Sequence, residues 1–465
     1  MTSARVGGHA PIGGRAAVVL ALLASLAACA TPPTRGDTSG RATPDPTSTS
    51  TSSNQGSSTL TTSASPTATA SAQEQVLTTA LRQAAQYDYD GALHTLGAST
   101  SPAAATETAA VKRAKATAVA WPDNTAISHL FYHSLVVDPA RAFSAGRQGV
   151  GFSQYMVTVS EFTAQLQQIH DHGYVLVHPQ DIAAPGTGGV MKRMPIVLPP
   201  GKKPLVLSID DVSYYEYMSG KGFATNLVPT RDGRVVNTYV DASGAAHVGN
   251  FDVMPIVDDF VREHPDFSYR GAKGTIGLTG YNGILGYRTS VRSYGDTATT
   301  RREQSRARVV ADALKAQGWN FASHTWGHIN LTTSSLDRIR HDAQRWDREV
   351  RPLVGDTPLL IDPFGADISG VERYGRGNAK FTFLHDKGRF QYFFNVDAST
   401  THWMQIGPQS LRQARINVDG ITLQRALSGR TKVLTPFFDA ASTIDPLRPL
   451  PVPLPGSAGP APGVG

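Results

Sequence analysis

The 465-residue chain is expected to be an α/β protein whose centre is a distorted (β/α) barrel of about seven strands, and three observations carry that expectation. Short apolar runs alternate with amphipathic stretches from about residue 125 to about residue 440. Repeated strand-then-helix units favour a parallel sheet, most simply one closed on itself. Acidic residues and histidines recur just past the ends of those apolar runs, where a barrel carries its chemistry. Residues 30–72, by contrast, hold almost no large apolar residue and cannot extend the core.

Taken in order, residues 129–133 (His-Leu-Phe-Tyr-His) form the first strand, 161–170 a helix and 174–177 the next strand. Leu205-Val206-Leu207-Ser208-Ile209 is a buried strand that runs straight into Asp210 and Asp211. Residues 255–264 open on a proline and keep Ile256, Val257, Phe260 and Val261 on one side, as a helix would. Residues 275–278 are strand-like, 301–317 are a helix stopped by Gly318, and 319–323 are a strand. Leu336, Ile339, Ala343, Trp346 and Val350 then recur at alternating spacings of three and four, an amphipathic helix. Residues 359–361 and 392–396 supply further strands. Between Asp211 and His324 the chain is longer than one crossover needs, and the turn clusters 231–234 and 241–244 predict a β-hairpin there.

Outside this region, Arg5 and Arg15 precede an apolar stretch over 16–26 that ends in Leu26-Ala27-Ala28-Cys29. The stretch is too short to span a bilayer and reads as an export signal over residues 1–28. Its last four residues resemble the lipobox of bacterial lipoproteins, which implies cleavage before Cys29 and a diacylglyceryl anchor on it. Cys29 is the only cysteine, so the chain has no internal disulfide. Residues 29–72 read as a disordered tether with a reach of roughly 35 Å. Residues 73–118 read as a small helical hairpin, and the proline-rich tail within 441–465 as extended. An exported lipoprotein on the outer side of the cytoplasmic membrane follows. The excess of 43 Lys and Arg over 37 Asp and Glu is too dilute to indicate nucleic-acid binding. A monomer is expected.

Taken singly, the polar groups at the strand ends have duller explanations: a helix N-cap for Asp210-Asp211, packed histidines, and a simple turn at Pro363-Phe364-Gly365. Their order makes them specific. Ser208-Ile209-Asp210-Asp211, then His324-Thr325-Trp326-Gly327-His328, then Asp362-Pro363-Phe364-Gly365 resembles the polysaccharide deacetylases of the NodB type, carbohydrate esterase family four. The resemblance covers about residues 125–440 and implies a metal held by Asp211, His324 and His328, with Asp210 as general base and Thr325 bracing the loop. Zinc suits such a set best, with cobalt, nickel or manganese as substitutes. Pro363 and Phe364, with Tyr281, are the substrate-binding candidates. Tyr214, Tyr215 and Tyr217 are further aromatics able to stack on sugars or to pack the insert.

Two departures stand out. Ile361 occupies the position of the family's third-motif arginine, so the base must be oriented from elsewhere. The family's late Leu-His segment, source of the general acid, has no match. Among His385, His402 and His133, the sequence favours His402, beyond Asp397. The expected activity is hydrolysis of N-acetyl groups on an envelope or extracellular polysaccharide. The alternatives are O-acetyl ester cleavage, as on xylan, and a non-catalytic glycan-binding lipoprotein on the same fold.

Overall fold

Seven strands close into a parallel ring in the computed structural model, which describes residues 66–452. In chain order they are β1 (Ser128–Tyr132), β2 (Lys203–Ile209), β3 (Thr275–Leu278), β4 (Asn320–Ser323), β5 (Leu359–Ile361), β6 (Tyr392–Val396) and β7 (Leu411–Asn417). Each pairs with the next in parallel, except that β1 and β7 also pair with each other and close the circle. The barrel expectation is met, but two strands differ from those anticipated. The strand Tyr174–Leu176 is a side branch on β2, outside the ring. The seventh ring member, β7, was not foreseen, because its Arg412, Gln413, Arg415 and Asn417 make it read as a polar surface segment. Side chains in a closed sheet alternate between inside and outside, and a polar strand is tolerated where its inward groups find partners.

The alternation is visible along β2. Leu205, Leu207 and Ile209 pack outward with Phe162, Leu166 and Ile169, while Val206 joins Ala322, Ile361 and Phe394 in the other apolar cluster. Helix α1 (Pro66–Ala85), α2 (Tyr89–Leu96) and α3 (Pro102–Thr117) contribute Ala80, Leu96 and Val111 to this second cluster. The expected hairpin therefore has a third helix and starts before residue 73. Around the ring run α4 (Val159–Asp171), α5 (Val253–Glu263), α6 (Ala298–Ala316) and α7 (Leu336–Glu349), each near its expected position. Between β2 and β3 the insert folds as a three-stranded antiparallel meander of Ala224–Pro229, Val235–Val240 and Ala246–Gly249, turning at both expected clusters.

Arg448 corrects the expected tail boundary. Its guanidinium is fully buried against Glu161, itself fully buried, and it also donates to the carbonyls of Ser153 and Met156. Glu161 meanwhile closes the capping box that starts α4. Truncating either member of such a pair leaves an unpaired buried charge at a cost of about 3–5 kcal/mol. The packed domain therefore continues past residue 440, and Val452 is still buried. No helix among the described residues is long and apolar enough to cross a membrane. The export signal, Cys29 and most of the tether lie outside the described residues, as do 453–465.

Candidate active site

Where β2 ends, Asp210 is 3 % exposed and Asp211 turns into the left-handed region with φ of 60°. Thr325, His328 and Phe364 share that unusual conformation at φ of 56°, 51° and 60°. For residues with a Cβ this costs on the order of 1–3 kcal/mol each, and its clustering at one end of a barrel is typical of a functional site. The loop after β4 is held in this shape by named groups. Asp342 of α7 accepts from the amides of Trp326 (2.6 Å) and Gly327 (2.8 Å), and Thr325 Oγ1 accepts from the Ile329 amide at 3.0 Å. Thr325 thus braces the two histidines.

His324 is 1 % exposed, and its Nδ1–H donates to the Ile361 carbonyl at 3.0 Å. That bond fixes the tautomer and leaves Nε2 free to bind a cation. Burial drives its pKa down to about 4, so the ring is neutral near pH 7, as ligation requires. His324 Nε2 lies 3.9 Å from both Asp210 Oδ2 and Asp211 Oδ1, and His328 Nε2 lies 3.8 Å from Asp211 Oδ2. The ligand-type atoms of Asp211, His324 and His328 all fall within 4.8 Å of one another. Two imidazoles and one carboxylate, with no lysine or arginine among the described residues between them, are a donor set that fits zinc. The Tyr215 hydroxyl donates to Asp211 Oδ1 at 2.5 Å and so fixes that carboxylate from behind.

Asp210 carries a different load. Burial alone would raise its pKa, but Arg415, helped by His324 and His133, more than reverses this and holds it at about 2. Arg415 Nη1 reaches Asp210 Oδ1 at 2.7 Å, with both side chains almost fully buried. The guanidinium lies over Phe131, 4.1 Å from its ring centroid. Arg415 is the functional residue that the sequence did not reveal. It comes from β7 and takes the place left by Ile361, which contributes only its backbone carbonyl. A glycine on the facing strand keeps this space tight: a Cβ at Gly277 would sit 3.1 Å from the Ile361 side chain and 3.4 Å from Asp210 Oδ1.

The other expected residues separate clearly. His402 is corrected: it is exposed, and its electrostatic partner is Asp123, on the segment leading into β1. No bond or electrostatic contact joins it to Asp210 or Asp211, because the loop after β6 folds back into the antiparallel strand Met404–Ile406. His385 pairs with Asp386 instead. His133, immediately after β1, acts electrostatically on both Asp210 and Asp211. Asp397 caps its own loop by accepting from the Ser399 amide. Phe364 is 69 % exposed with its ring against His328, 4.4 Å between centroids, while Pro363 is buried. Tyr281 stacks on Tyr215, which stacks on Tyr217, at 5.2 and 5.4 Å. Tyr215 is buried in that stack, leaving Tyr217 and Tyr281 partly open, and Tyr214 packs into the insert against Asn237.

The family model described as polysaccharide deacetylase matches residues 295–374, the stretch containing the His324–His328 loop and the Pro363–Gly365 turn. Among solved structures, the chain is similar to a Streptococcus pyogenes deacetylase, PplD, determined in complex with acetate. That likeness has 18 % identity, covers 66 % of this chain and 98 % of that one, and has a TM-score of 0.33, too loose to bear on the site. No curated protein matches at a significant level.

Proposed function

We propose that the chain, whose residues 295–374 match the polysaccharide deacetylase family model, hydrolyses N-acetyl groups on a cell-envelope or extracellular glycan, with Asp210 as general base and a divalent metal, zinc by preference, held by Asp211, His324 and His328. The single observation that carries this is the convergence of those three side chains beside a buried, arginine-paired Asp210 at the mouth of a closed barrel.

When bound, the metal supplies Lewis-acid activation of water and of the acetyl carbonyl. Asp211, fixed by Tyr215, and His324, fixed by Ile361, would present ligand atoms with little reorganisation. Asp210 takes the proton of the attacking water, and its depressed pKa keeps it ionised and ready near neutral pH. Arg415 holds Asp210 in line and balances its charge. The departing amine needs a proton, and His133, which acts electrostatically on both aspartates, is our candidate donor in place of His402. Phe364, exposed beside His328, offers a face for a sugar ring. The sequence over 26–29 supports a lipid anchor on Cys29, which would put this monomeric enzyme outside the cytoplasmic membrane.

Acetate release from acetylated chito-oligosaccharides by the zinc-loaded protein, with acetylated xylan alongside, tests the reading. Release from the chito-oligosaccharides, lost in Asp210→Asn, is the expected result. Release from xylan alone moves the activity to O-acetyl esters, and glycan retention without any acetate leaves a binding protein.

A further inference from the structure

We propose that His129 is a positioning residue for the reaction: through Ser208 and Arg415, it fixes where the carboxylate of Asp210 stands. The inference rests on Asp210 being the base, as proposed above, and adds a residue that touches neither substrate nor metal ligands. His129 lies on β1, fully buried, with its ring edge against Phe394 at 5.0 Å.

Each hydrogen-bonding role in the chain of contacts is forced. The Gln413 amide nitrogen donates to the Ile127 carbonyl at 2.9 Å, and a carbonyl can only accept. Gln413 Oε1 therefore faces His129 Nδ1, at 3.2 Å, and being itself only an acceptor it requires the proton on Nδ1. The charged groups acting on the ring are Arg415 and Asp210; burial first, then Arg415, disfavours a second proton. Nε2 is therefore bare, and the Ser208 hydroxyl donates to it at 2.9 Å. With its hydrogen directed there, Ser208 Oγ offers lone pairs to Arg415 Nη1 at 3.2 Å. The same Nη1 directs its other hydrogen to Asp210 Oδ1 at 2.7 Å.

The chain of bonds thus runs from a backbone carbonyl to the base, with direction set at every link. Its physical purpose is to anchor a long side chain. A free arginine carries about 2 kcal/mol of rotamer entropy. Without Ser208 the guanidinium would keep its contact with Asp210, a long bond from Nε to the Asn395 carbonyl at 3.4 Å and the Phe131 face, leaving Nη1 oriented by the carboxylate alone. Removing His129 frees the Ser208 hydroxyl to rotate, and a hydrogen turned toward the guanidinium would repel it.

Steady-state deacetylation of chito-oligosaccharides by zinc-loaded protein tests this in four variants: His129→Leu, Ser208→Ala, their combination, and His129→Gln. The glutamine amide can accept from Ser208 and donate to Gln413. Each single disruption is expected to lower kcat about tenfold with KM within about twofold, since a small displacement of a reacting group is costly while substrate contacts persist. Bound zinc should stay at one per chain, the combined variant should fall little below the worse single one, and His129→Gln should recover most of kcat. A kcat within about twofold of wild type in Ser208→Ala, or losses that multiply in the combined variant, would overturn the proposal. Ser208→Ala removes one oxygen and keeps the test alive if His129→Leu does not fold. Undiminished turnover in Asp210→Asn would remove the base assignment, and this proposal with it, by a separate measurement.

Discussion

Asp211, His324 and His328 invite comparison with a second trio, His170, His264 and Asp266, whose ligand-type atoms also fall within 4.8 Å of one another. The donor types are identical, but the surroundings are not. The second trio sits at helix ends, His170 in the last turn of α4 and His264 just past α5. There Asp266 is already engaged, by the ammonium of Lys202 at 2.8 Å and by His170 Nε2 at 3.2 Å. A helix C-terminus favours a positive imidazole over a bare ligand nitrogen. At the barrel mouth no ammonium intrudes among the described residues, His324 has its proton directed at a carbonyl, and Asp211, Thr325, His328 and Phe364 all accept left-handed backbone. The same three residue types make an ion-pair network in one place and a ligand set in the other. Donor count does not distinguish them; competing cations and tautomer control do.

Exchanging ligands tests that difference most severely. His324→Ala or His328→Ala should abolish both acetate release and bound zinc, whereas His170→Ala and His264→Ala should leave zinc at one per chain by elemental analysis. Two zinc ions in the wild type, with one lost from His170→Ala, would erase the distinction. Next in size, Asp210→Asn should retain zinc yet lose roughly a thousandfold in kcat, within the range for a positioned general base. Arg415→Met, which strips the charge partner from a buried carboxylate, should cost about 3–5 kcal/mol in urea unfolding, in addition to activity. A comparable truncation at Lys202, paired with the partly exposed Asp266, should cost about 1 kcal/mol or less.

Acid separates the two trios more gently. His324 and His178 are held down to about 4 and His129 well below its ordinary value, burial being the main cause in each case. Unfolded histidines titrate near 6.5, so between about pH 7 and pH 4 the unfolded chain binds protons that the native one refuses. Stability should therefore fall as pH drops through that window, read as a declining Tm in the metal-free protein, and His178→Asn should flatten the slope. Asp266 is lowered as well, but toward its charged form: its hydrogen bond from His170, with Lys202, holds its carboxyl below the usual carboxylate range. Its contribution is complete above about pH 4 and disappears only below it. A Tm unchanged down to about pH 5 would contradict the first half of this pattern. The smallest effect is expected at Phe364, where replacement by Ala should raise KM a few-fold and leave Tm within about a degree, because the ring is mostly exposed.

Much of the site could be read in advance because its residues are contiguous in short motifs. Asp210-Asp211 follows an apolar strand, and His324 and His328 share one loop, so spacing and strand-end position were enough to group them. Arg415 was out of reach for the opposite reason. It stands alone in a polar strand far from the other motifs, and only closure of the ring brings β7 beside β1 and places it over Phe131. His402 misled because distance along the chain from β6 says nothing of the reversal into Met404–Ile406. His133, just past the first strand, comes to act on Asp210 only through the pairing of β1 with β2. Arg448 falls within the stretch 441–465 expected to be a tail, since a proline-rich context gives no hint of a buried carboxylate waiting on α4.

By itself, then, the amino-acid order determined which atoms are available: a carboxylate pair, two imidazoles one loop apart, and alternating apolar segments that must close on one another to leave water. Tertiary structure decided which of those atoms meet and in what state. Whether a histidine is neutral, which nitrogen carries its proton, and whether a carboxylate faces an arginine or a metal all depend on dielectric and on partners distant in the chain. Those quantities arise only once the barrel has closed.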